Sequence, residues 1–157
     1  MTTAVSRSTP PQRLVTAANP VVRAVLRSPL HATVDGALLM LHVTGRRTGR
    51  RYDIPVGYVE LDGRFVVVTQ HSWRANLRGV HDLEVTHAGR RRTMRVDLDE
   101  QPRSVAATLR RVIEGTGWQA ARRRVGLTVT VRRTPTVAEL EEAVREYDLA
   151  TITLATK

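Results

Sequence analysis

The sequence predicts a mainly β member of the α+β class, a small barrel of about six antiparallel strands with helices packed outside it. Three observations carry that expectation. Apolar runs of strand length recur along the middle of the chain, at residues 37–43 (ALLMLHV), 52–61 and 64–70 (RFVVVTQ). Gly-containing connections separate them, among them Asp62-Gly63 and the Ala88-Gly89-Arg90 stretch, the chemistry of tight hairpins. Helical spacing appears only near the start and after the fifth strand.

Taken in order, residues 1–10 are polar with Ser and Pro and read as a disordered tail. Residues 11–157 read as one domain, since 157 residues suit a single core and no repeat or linker interrupts them. Residues 12–26 suit one or two short helices, with Pro20 at the break or in the first turn of the second. The runs 37–43 and 52–61 form a hairpin, and 64–70 adds a third strand in meander order. Residues 71–79 (HSWRANLRG) lose the two-residue alternation and predict a short helix or turn stopped at Gly79. Residues 83–86 and 93–98 flank an Ala-Gly-Arg turn as a second hairpin. Val105, Leu109, Val112 and Ile113 then fall at helical spacing within 99–115, and 118–125 continues as a further helix. After an extended piece at 127–131, Thr136 with Glu139 three residues on signals a capping box before a helix to Tyr147. Residues 149–155 form a closing strand.

Composition narrows the chemistry. There are no cysteines, which removes disulfides, thiolate metal sites and cysteine nucleophiles and is compatible with a reducing, cytoplasmic location. Nothing resembles a signal peptide or a membrane span of about 20 apolar residues. Net charge is +10, and Lys157 is the sole lysine among 25 basic residues. The excess has two foci, a loop at 45–51 and the region 101–134 with Arg110, Arg111, Arg122, Arg123 and Arg124. The second focus reads as a solvated face or as a surface for an acidic partner. Six aromatic residues in the whole chain supply few stacking platforms, which argues against single-stranded nucleic acid.

The first focus organises the rest. Gly45, Arg46, Arg47, Thr48, Gly49, Arg50 and Arg51 crowd the first hairpin connection. Its glycines permit close backbone approach and amides aimed at an anion, so it suits a phosphate or carboxylate clamp; the same residues also suit an ordinary turn with solvated arginines. It is not a nucleotide-triphosphate loop, because the lysine and the magnesium-binding hydroxyl are missing after the second glycine. His31, His42, His71, His81 and His87 show no metal-ligand spacing, so no metal is expected. Ser72 has no nucleophile-elbow context. Trp118 suits either core packing or a lid over a pocket mouth.

The run Val43-Thr44-Gly45-Arg46-Arg47-Thr48-Gly49-Arg50-Arg51, then Ile54-Pro55-Val56-Gly57-Tyr58, Asp62-Gly63, Val66-Val67-Val68 and Trp73-Arg74-Ala75-Asn76-Leu77, resembles the deazaflavin (F420)-dependent nitroreductase family of flavin and deazaflavin oxidoreductases. The resemblance spans about residues 37–98 and rests on the T-G-R-x-[ST]-G-x-x-x-x-x-P and W-x-x-N-L patterns in that order. It implies a split β-barrel and a two-electron redox enzyme using F420, with FMN as the alternative coenzyme. By position, Thr44, Gly45, Arg46, Arg47, Thr48, Gly49, Arg50 and Arg51 would hold the anionic tail. Pro55, Val56 and Gly57 would lie along the ring system, and Gln70, Ser72 and Asn76 would line the far wall. His71 and Trp73 would be the residues nearest the chemistry, His71 as proton donor or hydrogen-bond partner. The expected partner is a small organic substrate that accepts or gives a hydride, and whether two barrels pair as a homodimer to complete the pocket is left open by the sequence. The alternatives are a split-barrel protein that binds FMN or another ligand without catalysis, and a basic module for nucleic acid or a protein partner.

Overall fold

The strands close on themselves through one bent segment. A computed structural model of the chain describes residues 5–7, 38–116, 127–129 and 134–157. Its strands are β1 (Val5–Arg7), β2 (Leu38–Thr44), β3 (Arg51–Gly57), β4 (Val59–Leu61), β5 (Arg64–Thr69), β6 (Asp82–His87), β7 (Arg90–Asp99), β8 (Leu127–Val129) and β9 (Ala150–Ala155). β1 and β8 pair as a small antiparallel sheet. The other seven form one antiparallel sheet in the order β3-β2-β6-β7-β9-β5-β4. Its outermost strands, β3 and β4, are consecutive in the chain and separated only by Tyr58. The sheet therefore curls until its two edges meet at that residue, a half-barrel of the split-barrel kind.

Alternation sorts the side chains as strand geometry requires. Leu39, Leu41 and Val43 of β2 meet Leu83, Val85, Met94, Val96, Ile152 and Leu154 in the cluster inside the curl. The unbroken valine run of β5 divides, with Val67 turned into that cluster and Val66 and Val68 turned outward beneath the helices. A strand buried on both faces needs an apolar residue at every position.

Two helices cover the outer face. α1 (Pro102–Thr116) opens on proline, whose missing N–H costs nothing in a first turn. Asp99 supports that turn by accepting from the Gln101 N–H at 3.0 Å and from Ser104 Oγ. Val105, Leu109, Val112 and Ile113 are buried together against Val59, Val66 and Val68. α2 (Val137–Tyr147) completes the same cluster with Leu140, Ala143 and Val144. Its capping box is formed: the Glu139 N–H donates to Thr136 Oγ1 at 3.2 Å and the Thr136 N–H to Glu139 Oε1 at 3.1 Å. Asp148, with φ of 51°, ends the helix in the left-handed region.

Several expectations are refined. The strand order is not a plain meander, because β2 pairs with β6 and β9 inserts between β7 and β5. Closing a curled sheet requires partners distant in sequence. The second hairpin turns on two residues, Ala88 and Gly89, both at positive φ, and Arg90 already pairs with His87. Asp62 and Gly63 make the same kind of turn, with φ of 53° and 71°. The segment expected as a tail contains β1, which lies against α2. The helices expected at 12–26 and 118–125 lie outside the described residues, as does Trp118. Among the described residues no helix is long and apolar enough to cross a membrane.

Candidate functional site

The connection between β2 and β3 is held shut by its own backbone. The Gly45 N–H donates to the Arg50 carbonyl at 2.7 Å, the Gly49 N–H to the Gly45 carbonyl at 2.9 Å, and the Arg50 N–H to Thr48 Oγ1 at 3.2 Å. Gly45 is the close-packed member: a Cβ there would stand 3.1 Å from Tyr52 Cε2 and 3.3 Å from the Arg50 carbonyl oxygen, and a backbone atom cannot yield. Gly49 is required by its φ of +68°. The Arg46 N–H leaves the loop and donates to Asn76 Oδ1 at 3.1 Å. Most loop amides are thus committed; among the described residues, those of Arg47 and Thr48 are the adjacent pair without an acceptor. Two consecutive N–H groups in a turn form a small concavity suited to an anion.

The four arginines part company. Arg46 donates to the Ala75 carbonyl at 3.3 Å. Arg51 pairs across the sheet with Glu84, which also takes Arg91 at 2.6 Å. Arg50 lies over the Tyr52 ring, 5.8 Å from its centroid. Arg47 is exposed and has no partner among the described residues. Of the set expected over 44–51, the Arg47 and Arg50 guanidinium groups and the Arg47 and Thr48 amides are the donors without a hydrogen-bond acceptor among the described residues. Arg46 and Arg51 have protein partners that tie the loop to the 3₁₀ helix and β3 to β6, and Thr44 is the exposed last residue of β2 opposite Arg51.

A 3₁₀ helix over Ser72–Leu77 carries the second motif. His71 is its N-cap, with its N–H on Thr69 Oγ1 at 3.1 Å, and His71 and Ser72 are exposed. Gln70 is half-buried just before it. Trp73 packs against the cluster inside the curl, while Asn76 binds the loop. The two motifs found in the sequence are thus in direct contact, through Arg46 on one side and Ala75 and Asn76 on the other. Pro55, Val56 and Gly57 are brought together less completely. Val56 packs on the interior cluster, whereas Pro55 and Gly57 turn to the opposite face beside their β2 partners Met40 and Leu38. Among the described residues β3 pairs with β2 and with no other strand, so its other edge carries backbone groups that no described strand takes; Pro55 fits such an edge because it has no N–H to donate.

Sequence reasoning missed Arg74. It is buried, and each of its three guanidinium nitrogens is engaged: Nε donates to Glu100 Oε1 at 3.0 Å, and the two terminal nitrogens donate to the Asp148 carbonyl at 2.7 Å and to Asp148 Oδ1 at 2.9 Å. Arg78 grips the same carboxylate with two bonds, at 2.8 and 2.9 Å. Hydrogen bonding from Arg78, opposed by burial and reinforced by Arg74, pulls the Glu100 carboxyl down from 4.5 to about 2. A depressed folded-state value means that the stabilisation is complete above about pH 4.5 and is lost as the pH falls through about 2. A Glu100→Gln variant should melt below the wild type at neutral pH and converge with it near pH 2; melting curves that stay parallel throughout would show that the pair adds nothing.

Of the histidines, His42 is buried, with Nδ1 2.7 Å from Asp53 Oδ1 and Nε2 2.8 Å from Thr86 Oγ1. It ties β2 to both neighbours. His87 meets the Tyr58 hydroxyl at 2.9 Å beside Phe65. Among the described residues no three His, Asp or Glu side chains stand where they could hold a metal ion. In the second basic focus, Arg110 pairs with Glu114 and Arg111 with Asp62; Arg122, Arg123 and Arg124 lie outside the described residues.

A family model described as F420H(2)-dependent quinone reductase matches residues 26–134, a span that holds the loop, the 3₁₀ helix and α1. The chain belongs to that family. It is accordingly an F420-dependent oxidoreductase, in agreement with the deazaflavin family that its motifs resemble. No curated protein matches its sequence. Among solved structures it is similar to a conserved hypothetical protein of Mycobacterium tuberculosis (17% identity, 83% of this chain and 81% of that one, TM-score 0.47). It is also similar to an F420-H2 dependent reductase (14%, 74% and 93%, 0.39) and to a pyridoxamine 5'-phosphate oxidase-related, FMN-binding protein of Nostoc punctiforme (14%, 95% and 82%, 0.43). At these similarities the family match carries the assignment. The residues present suit the coenzyme of the family: cations at the loop, and amides that have no acceptor among the described residues, complement an acidic tail, and the edge of β3 away from β2 complements a flat ring.

Proposed function

We propose that this chain uses reduced F420 to reduce a small, apolar, electron-poor acceptor of the quinone or nitro-compound type. The observation that carries the reading is the pairing of motifs. The arginine loop is fastened to the 3₁₀ helix through Arg46, Ala75 and Asn76, which sets the turn proposed to bind the anion beside the helix that carries Trp73 and starts after His71. Arg47, Arg50 and the Arg47 and Thr48 amides would hold the phosphate and glutamate tail, each charge-assisted contact contributing about 1.5–3 kcal/mol before solvent screening. The β3 edge at residues 54–57 would orient the ring, and Trp73, packed on the interior cluster, would keep water from it. When bound, the reduced deazaflavin supplies the hydride; the protein contributes orientation, dryness and polar contacts. His71, exposed at the start of the 3₁₀ helix, or solvent delivers the accompanying proton to the acceptor.

The test is a fluorescence titration with F420 and with FMN, followed by single-turnover mixing of the F420H2 complex with a soluble quinone. Tight F420 binding, weaker FMN binding and quinone-dependent oxidation are expected. Binding of neither coenzyme, or a preference for FMN, would remove the assignment of coenzyme to this site.

A further inference from the structure

Arg74 is a buried cation that the tail-binding set does not use, although it stands between the two motif residues that frame the site. Its three guanidinium nitrogens reach acceptors on two distant segments, Glu100 in the connection from β7 to α1 and Asp148 at the end of α2. The next two residues along the chain, Ala75 and Asn76, supply the oxygen atoms on which the Arg46 side chain and amide hang. A six-residue 3₁₀ helix with no side-chain N-cap has little stability of its own, because its hydrogen bonds are poorly aligned and few. Its position must come from anchors. Leu77 and Trp73 anchor it by packing, and packing alone leaves rotation about the helix axis open. A planar fork held on three acceptors fixes orientation as well as distance.

We propose that Arg74 is a positioning residue for coenzyme-tail binding. By locking the 3₁₀ helix to Glu100 and Asp148, it fixes the Ala75 and Asn76 oxygens. Through them it presents the Arg47 and Thr48 amides and the Arg47 and Arg50 side chains as one anion-binding surface. The inference rests on the reading of the loop as the tail site. Arg74 touches no coenzyme atom in this scheme; its effect passes through Arg46.

The deciding measurement compares dissociation constants for F420 and for its tail-less deazariboflavin chromophore, in the wild type and in Arg74→Lys. Amide hydrogen exchange at Arg46 is followed in the ligand-free protein. Lysine keeps the charge and loses the fork, so F420 should weaken by about fivefold or more while the tail-less chromophore stays within about twofold. The Arg46 amide should exchange about tenfold faster as its bond to Asn76 loosens. Asp148→Gly separates position from stability: glycine suits the left-handed cap at φ of 51° and removes the carboxylate that Arg74 holds. That variant should melt no lower than the wild type, yet bind F420 about two- to threefold more weakly.

Equal losses for both ligands in Arg74→Lys would reduce Arg74 to a structural residue. Unchanged F420 affinity and unchanged Arg46 exchange would also overturn the proposal, and if the lysine variant does not fold, the same two readouts on Asp148→Gly decide. Should the wild type bind F420 no tighter than the tail-less chromophore, the tail site itself falls, and this inference with it. If the wild type does discriminate and Arg74→Lys retains that discrimination, the positioning role alone is lost.

Discussion

Replacing Arg47 and Arg50 together by alanine should weaken F420 binding by at least about tenfold, and toward about a hundredfold at low salt. Both side chains are exposed, which places each contact at the lower end of the range for charge-assisted hydrogen bonds. The Arg47 and Thr48 amides survive the substitution and keep part of the affinity. Because neither arginine holds a buried partner, the melting temperature should stay within a degree or two of the wild type, as for surface substitutions generally. Arg51→Ala supplies the contrast. Its guanidinium is committed to Glu84, so F420 affinity should change by less than about threefold even though the same number of charges is lost per residue. A fluorescence titration across ionic strength measures both. Unchanged affinity in the double variant would take the loop out of the site, and equal losses at Arg51 would mean that net charge rather than geometry attracts the coenzyme.

Ile152→Ala should be the most damaging single truncation outside the site. Ile152 is fully buried in the cluster inside the curl, opposite Val67 on β5 and Leu98 on β7. It sits on β9, the strand that joins the β6–β7 hairpin to the β4–β5 hairpin. Removing a buried branched side chain costs about 2–5 kcal/mol when the surroundings cannot collapse into the space. In a chain of this size that lowers the melting temperature by roughly 5–15 °C. Below the transition the variant should still bind F420 within about twofold, since Ile152 makes none of the hydrogen bonds that join the loop to the 3₁₀ helix. Thermal unfolding with a Lys157→Ala control at the exposed end of the chain would check this. A loss below about 1 kcal/mol would show that the seam between the two hairpins is held elsewhere.

β9 also marks where the chain could and could not be read in advance. Its strand character was legible, because residues 149–155 alternate Leu and Ile with Ala and Thr. Its place between β5 and β7 was not, because a strand's pattern states that it must pair and not with which strand. The same division runs through the site. The two motifs were legible as separate short patterns, and their resemblance to deazaflavin enzymes agrees with the family to which the chain belongs. Their contact through Arg46, Ala75 and Asn76 joins residues about thirty positions apart.

What the residues determined by themselves is what acts over a few neighbours. The two-residue turn at Asp62-Gly63 follows from the backbone freedom that such turns need, the capping box of α2 from side chains three positions apart, and the outward and inward valines of β5 from the two-residue repeat. What the tertiary structure alone decided is which charges remain available. Sequence showed four equivalent arginines in one loop and treated Arg74 as motif filler. A guanidinium accepts any carboxylate or carbonyl within reach, so its role is set by the oxygens that folding brings beside it. Here those oxygens come from Ala75, Glu84, Glu100 and Asp148. They occupy Arg46, Arg51 and Arg74 and leave Arg47, with Arg50 stacked on Tyr52, facing water and any anion that arrives from it.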